Sequence, residues 1–344
     1  MSEAHSPLAL ALQHLALGHD LTADEAAAAF GVIMRGEAAA PSIAALLMGL
    51  RVKGETAEEV AGTARALRNA MVSLKGDRPG AVDTCGTGGG VVGTINISTP
   101  AAFVAAAAGV PVAKHGNRSF TSRCGSADLF EALGVSISLP PVRAAEVLDD
   151  AGLVFLFAPD YHPAMRHVGP VRRELALPTV MNLVGPLANP AGVRRQVLGV
   201  ADPARASLMA ESLLRLGAEH ALVVHAEVGM DEISPIGRTT VWEIRDARVR
   251  TWEIDPALSG VRQTELGALA GGDPAENAAR IEEVLAGAGD DLVRDAVLLN
   301  AGAAVYVGGG ARSFEEGVEL SRSVLRAGGG GEVLARLRAL APRP

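Results

Sequence analysis

Between Asp83 and Asp128 the chain reads DTCGTGGGVVGTINISTPAAFVAAAAGVPVAKHGNRSFTSRCGSAD, with no acid between those two, although 39 Asp and Glu are spread over the whole sequence. The same window holds Lys114, His115, Arg118 and Arg123, the run Gly86-Thr87-Gly88-Gly89-Gly90, and the hydroxyl-rich NIST from Asn96 to Thr99. Glycines let the backbone come close to a ligand and offer successive N–H groups to an anion. Hydroxyls and a cationic cluster complete what a sugar phosphate or pyrophosphate needs. These residue types point to a polyphosphate site made of two loops, one glycine-rich and one basic. A glycine loop ahead of an alanine-rich helix can also be a plain strand-to-helix connection. Packing does not explain the NIST and KHGNRS clusters, which interrupt apolar segments.

Two familiar phosphate motifs fail on the residues they require. Gly88-x-Gly90-x-x-Gly93 fits the dinucleotide fingerprint formally. That fingerprint also needs an acid ~20 residues on, for the ribose. The region in question is VAAAAGVPVAKHG, which offers a lysine instead. No GxxxxGK[ST] run occurs anywhere.

The charge balance of the 344 residues is 31 − 39 = −8. An acidic chain with a local basic pocket suits a small anionic ligand, and bulk charge gives no support to nucleic acid as a partner. With only Cys85 and Cys124 there is neither a disulfide framework nor a zinc site, and both read as small buried side chains in a reducing cytosol. The first twenty residues lack a basic region and a cleavage site. The longest strongly apolar run, Ala101 to Ala113, falls short of the ~18 residues a membrane span needs. A soluble, cytoplasmic protein with no membrane partner is expected.

The elements that must position these loops can be read from pattern. Residues 1–73 read as a small all-helical unit. Thr22-x-x-Glu25 and Thr56-x-x-Glu59 fit capping boxes, Pro41 suits a first turn, and Ile43, Leu46, Leu47 and Leu50 recur at helical spacing. LKGDRPG, residues 74–80, is a hinge-like connection into a second unit, 74–344. There, short β-type runs alternate with helices. Strands are expected at 81–83, 110–113, 153–157, 197–200, 221–225 and 241–244, and helices at 99–108, 127–133 and 203–216, the first capped by Ser98 or Thr99. Residues 273–340 read as mostly helical. Such alternation indicates an α/β domain with a mostly parallel central sheet. Ligand loops of such sheets lie at the carboxyl ends of strands, where GTGGG, KHGN and APDYHPAM fall.

Taken together and in order, GTGG, NIST, VAKHGNRS, GSADLFEALG, HPAMRHV, PVRREL, NLVGPLANPA and GMDEISP make the chain resemble the anthranilate phosphoribosyltransferase family over almost its full length. The resemblance implies a small helical domain joined to a larger α/β domain, with a homodimer formed through the former. It implies transfer of phosphoribose from phosphoribosyl pyrophosphate to the amine of anthranilate in tryptophan biosynthesis, with magnesium, two ions in all. Carried over residue by residue, Gly86, Gly89, Gly90, Thr94, Asn96, Ile97, Ser98 and Thr99 would contact the phosphoribosyl substrate. So would Lys114, His115, Gly116, Asn117, Arg118, Ser119, Phe120, Thr121, Ser122 and Ser126. Gly86, Asn117 and Arg172 would position anthranilate, and a guanidinium can grip its carboxylate with two prongs. Ser98, Asp231 and Glu232 would hold the metal, and Lys114 and Arg172 would be the catalytic side chains. Two positions depart from the family pattern. Gly90 stands where the glycine loop usually ends in Asp, and Pro178 where Arg is frequent. Besides a paralogue acting on another aromatic amine, two other functions stay open at this point. One is a pyrimidine nucleoside phosphorylase-like activity, whose usual Lys-His-Ser segment is replaced here by Thr84-Cys85. The other is a non-catalytic phosphoribosyl-pyrophosphate-binding paralogue.

Overall fold

The structure, a computed structural model, describes residues 6–88, 93–119, 123–261 and 266–343. Four helices open the chain: α1 (Pro7–Ala16), α2 (Ala23–Met34), α3 (Ala40–Lys53) and α4 (Ala57–Asn69). Both expected capping boxes form. Thr22 and Thr56 accept the N–H of Glu25 and Glu59, and each Glu side chain returns to the cap backbone. Two orphan amides per helix are satisfied in this way. Glu59 does more. Fully buried, it also accepts the N–H of Leu21 at 2.9 Å and pairs with Lys53 at 3.0 Å, so it staples the α1–α2 connection to α4.

From residue 82 strands and helices alternate as β1 (Val82–Gly86), α5 (Ser98–Ala107), β2 (Val112–Gly116), α6 (Ser126–Ala132), α7 (Pro141–Ala151) and β3 (Leu153–Phe157). A short α8 (Ala158–Tyr161) and a 3-10 turn (Pro163–His167) lead to α9 (Gly169–Leu175) and α10 (Met181–Val184). Then come β4 (Arg195–Gly199), α11 (Pro203–Arg215), β5 (His220–Ala226), β6 (Thr239–Arg245), β7 (Arg248–Ile254), α12 (Pro274–Leu285), α13 (Asp291–Gly308), α14 (Phe314–Arg326) and α15 (Gly329–Leu340). Among the described residues the strands form one sheet in the order β3-β2-β1-β4-β5-β6-β7. The first five are parallel, and β6 and β7 add on as antiparallel strands.

Two expectations need correction. β7 has no counterpart in the sequence reading. Its residues RVRTWEI are mostly exposed, so this edge strand is polar and lacks the apolar run by which buried strands are recognised. Second, neither Ser98 nor Thr99 caps α5. The helix starts at Ser98, with Ile97 at the cap position and no capping side chain. Its free N-terminal amide is satisfied from elsewhere, as the site shows.

One core packs α5 and α13 against the sheet. Phe103, Phe130 and Phe155 stack in sequence there, with ring centroids 5.7 and 4.6 Å apart. A second core joins α1–α4 to residues that follow much later, Val168, Val171, Val180 to Ala188, Met209 and Leu213, and to Leu198 and Val223 of the sheet. The helical unit thus reaches the sheet through α10 and α11, which α4 packs against and of which α11 lies on β5.

Candidate active site

β1 ends at Gly86, β2 at Gly116 and β4 at Gly199, all at the carboxyl edge of the parallel sheet. Gly86 and Gly199 are partners in the β1–β4 ladder. Neither bears a side chain because the turn after β5 crosses directly over them. A Cβ on Gly199 would lie 1.6 Å from the carbonyl oxygen of Asp231, and one on Gly86 would lie 2.7 Å from the Asp231 carboxylate. Asp231 and Glu232 are thereby held over the end of β1.

Lys114 projects from β2 into the same place. Its ammonium donates to the Thr84 carbonyl, to Ser98 Oγ at 3.1 Å and to Thr84 Oγ1 at 3.3 Å. The backbone N–H of Ser98, first residue of α5, donates to Glu232 Oε1 at 3.2 Å. A carboxylate at a helix N-terminus satisfies an orphan amide and meets the positive end of the helix dipole. Lys114, Ser98 and Glu232, from three distant segments, therefore form one hydrogen-bonded chain, with Asp231 beside it.

The charges around this point do not balance. Asp83 and Glu232 both act on the buried Lys114 ammonium, and Asp231 acts on Glu232. Burial, reinforced by the neighbouring Asp231, pushes the Glu232 carboxyl up to about 8. Burial also raises Asp231 and lifts Asp83 to about 6, while it pulls Lys114 down. Such carboxylates gain from a cation. The oxygens of Ser98, Asp231 and Glu232 fit a hard divalent ion that keeps most of its sphere for water and phosphate. No group of three or more His, Cys, Asp or Glu able to cage a metal occurs among the described residues.

Beside Lys114 the chain carries a buried histidine pair. His115 Nε2 lies 3.2 Å from His162 Nε2, so one ring donates and the other accepts. Burial, with His162 behind it, pushes the His115 imidazole down to about 3, and burial alone lowers His162 to about 4. Both rings are uncharged at neutral pH.

The remaining candidates divide clearly. Ser126 Oγ donates to the Asn117 carbonyl at 3.3 Å, and a Cβ on Gly116 would sit 2.3 Å from that hydroxyl, so the KHGN turn packs tightly on the start of α6. Asn117 is exposed, and its Oδ1 accepts the N–H of Arg118. Arg118, expected to offer its charge to a phosphate, instead donates to Asp128 at 2.7 Å and to both oxygens of Glu131 at 2.8 Å. These two acids also hold its pKa up. The N–H of Ser119 leans on Asp128 as well. Asn96 bridges the Cys124 carbonyl and Asn277 at 2.9 and 3.2 Å. Ile97 and Thr99 are fully buried, and Thr99 Oγ1 has no hydrogen-bond partner among the described residues. Thr94 forms a β-bridge with Ala270. Arg172 is on α9, half-buried, with no ion pair among the described residues. Gly89, Gly90, Phe120, Thr121 and Ser122 lie outside the described residues.

Sequence reasoning passed over Asp83, Asn189 and Gly199. Asn189 sits in the quoted NLVGPLANPA, but its partner Asp83 is 106 residues away, and no spacing rule spans that distance.

Comparisons with known proteins bear on this geometry. A model of the glycosyl transferase family, α/β domain, matches residues 78–330, and the helical bundle domain of the same family matches residues 10–71. The anthranilate phosphoribosyltransferase of Rubrobacter xylanophilus is 50% identical over 318 residues, covering 92% of this chain and 93% of that protein. A crystal structure of anthranilate phosphoribosyltransferase from Thermus thermophilus matches with a TM-score of 0.91 at 46% identity, over 96% of this chain and 98% of that one. The Saccharomyces cerevisiae enzyme in complex with PRPP and Mg matches with a TM-score of 0.88 at 29% identity, over 98% of each chain.

Proposed function

The chain belongs to the anthranilate phosphoribosyltransferase family, and we propose from this premise that its cleft transfers the phosphoribosyl group of 5-phosphoribosyl 1-pyrophosphate to the amine of anthranilate. The observation that carries the reading is the chain Lys114–Ser98–Glu232, with Asp231 beside it, at the carboxyl ends of β1, β2 and β4.

In this reaction the amine nitrogen forms a bond to C1 of the ribose as the bond from C1 to the pyrophosphate oxygen breaks. The bonding pair leaves with pyrophosphate, and the amine proton passes to solvent. Anthranilate's amine is uncharged near pH 7, so no strong base has to act first. Catalysis rests on positioning and on stabilising charge at the leaving group. Lys114 supplies a fixed positive charge where that negative charge grows. Ser98, Asp231 and Glu232 would hold magnesium, two ions in the full reading, which would supply positive charge to the pyrophosphate oxygens. Arg172 grips the anthranilate carboxylate, with Asn117 at the edge of that subsite.

Residues 1–73 are the dimerisation unit of this reading, and 74–344 the phosphoribosyl-transfer unit. Leu10 on α1, Leu17 just after it and Val52 on α3 support the former, because they expose 46%, 71% and 80% of their surface. Light scattering tests the dimer.

The activity test is loss of anthranilate fluorescence on adding phosphoribosyl pyrophosphate, with and without magnesium. Turnover only with the metal supports the proposal. Phosphate-dependent cleavage of thymidine would favour a phosphorylase, and binding without turnover a sensor.

A further inference from the structure

β1 and β2 are neighbours, yet the ladder between them consists of Val82↔Val112 alone, whereas β1–β4 and β2–β3 each run for five residues. A parallel ladder continuing from that pair would next join Thr84 N–H to Ala113 C=O and His115 N–H to Thr84 C=O. Side chains take all four of these groups instead. The His115 N–H donates to Asp83 Oδ1 at 3.1 Å, and the Thr84 N–H also leans on that carboxylate. Ala113 C=O accepts from Asn189 Nδ2 at 2.8 Å, and the second hydrogen of the same amide goes to Asp83 Oδ2 at 2.8 Å. Thr84 C=O accepts from the Lys114 ammonium. Asp83 and Asn189 are 0% and 4% exposed. Asn189 is itself held, since its Oδ1 accepts the Ala191 N–H at 2.8 Å and the adjacent Pro190 carbonyl accepts the Leu74 N–H at 2.9 Å.

We infer that Asp83 and Asn189 are positioning residues, a wedge of side chains that parts β1 from β2 so that Lys114 can enter between them. Were the ladder closed, His115 N–H would occupy the Thr84 carbonyl, and the ammonium would lose the acceptor that aims it at Ser98 and the Glu232 carboxylate. Backbone pairing has been exchanged for a fixed cation, and the same exchange anchors the backbone of His115 one residue on. The wedge touches no substrate. Its effect reaches the reaction only through Lys114 and His115, so the inference rests on the function proposed above.

The test compares Asp83→Asn and Asn189→Ser with wild type, with kcat and KM measured for each substrate per folded molecule, as counted by far-ultraviolet circular dichroism. Asp83→Asn places an amide against the Asn189 amide and removes the charge. Asn189→Ser leaves the carboxylate in place and frees the Ala113 carbonyl. Each variant should lose about 100-fold in kcat/KM for phosphoribosyl pyrophosphate, with KM raised, since a displacement of about 1 Å at a reacting group carries that cost. Wild-type kcat and KM per folded molecule in either variant, with only yield or melting temperature lowered, would overturn the inference and leave the pair a packing feature. If Asp83→Asn does not fold, Asn189→Ser decides alone. An inactive wild type would count against the proposed function rather than the wedge.

Discussion

Adding one methyl group at Gly199 should disable the proposed metal site without replacing a charged residue. Gly199 closes β4, and its backbone is paired on both sides, to Gly86 and to Val224. The Cβ of Gly199→Ala would lie 1.6 Å from the Asp231 carbonyl oxygen and 2.5 Å from its carbon, while real Cβ contacts essentially never fall under 3.0 Å. Something must retreat by at least the difference, about 1.4 Å by the packing distances of folded proteins. The strand is pinned by two five-residue ladders, so the Asp231–Glu232 turn moves. The hydrogen bond from Ser98 N–H to Glu232, already 3.2 Å, cannot survive that shift. A displacement of this size at a catalytic group costs on the order of 100-fold in kcat/KM. The assay is anthranilate fluorescence decay across a magnesium titration. Expected are a loss of roughly 100-fold and half-saturation at about tenfold higher magnesium or more, with a cooperative melt retained. A variant with the wild-type magnesium profile would refute the argument that close approach at Gly199 sets the carboxylate positions.

Other consequences follow from the same geometry. Replacing both Asp231 and Glu232 by alanine should abolish turnover and magnesium dependence together, and normal kinetics would remove them from the metal site. Arg172→Ala should raise KM for anthranilate by about 10- to 100-fold, the worth of a charged hydrogen bond, and leave KM for phosphoribosyl pyrophosphate within about twofold; an unchanged anthranilate KM would exclude that role. His162 gives a pH test. Its folded pKa is about 4 against an ordinary 6.5, so between those values the unfolded chain binds a proton that the folded one refuses. This cost is absent above 6.5 and grows as pH falls. At pH 5 it amounts to about 2 kcal/mol at 1.36 kcal/mol per unit. Urea unfolding of wild type and His162→Gln should therefore converge in favour of the variant by about that much between pH 7.5 and 5; a pH-independent difference would mean that His162 is not held neutral.

What could be read before the structure was what local pattern encodes. Thr22 with Glu25, and Thr56 with Glu59, announce their helices because a capping box is a contact over three residues. Lys114, Ser98 and Glu232 were legible because each lies in a motif whose composition is odd for packing. Their mutual contact was not, since it depends on where β5 ends relative to α5. β7 was missed because a solvated edge strand carries no apolar signature. The ion pairs of Arg118 were hidden for a related reason. The window around it is free of acids in sequence, yet α6 folds back and delivers Asp128 and Glu131 to it. Linear composition says nothing of charges that arrive from the next element. Asp83 looked like the border of the acid-free stretch, and its burial between two strands has no sequence correlate at all.

The sheet's exposed border has one more implication. β7 presents Arg248, Arg250 and Glu253 along the outermost strand, and its partner β6 turns into it through Asp246 and Ala247, both left-handed at φ 53° and 54°. A fringe of charged side chains is a poor template for another chain's strand. Concentrated refolding should therefore yield few cross-strand aggregates nucleated here. Swapping those three side chains for threonine should make the protein prone to fibrillar association while leaving the distant catalytic cleft untouched.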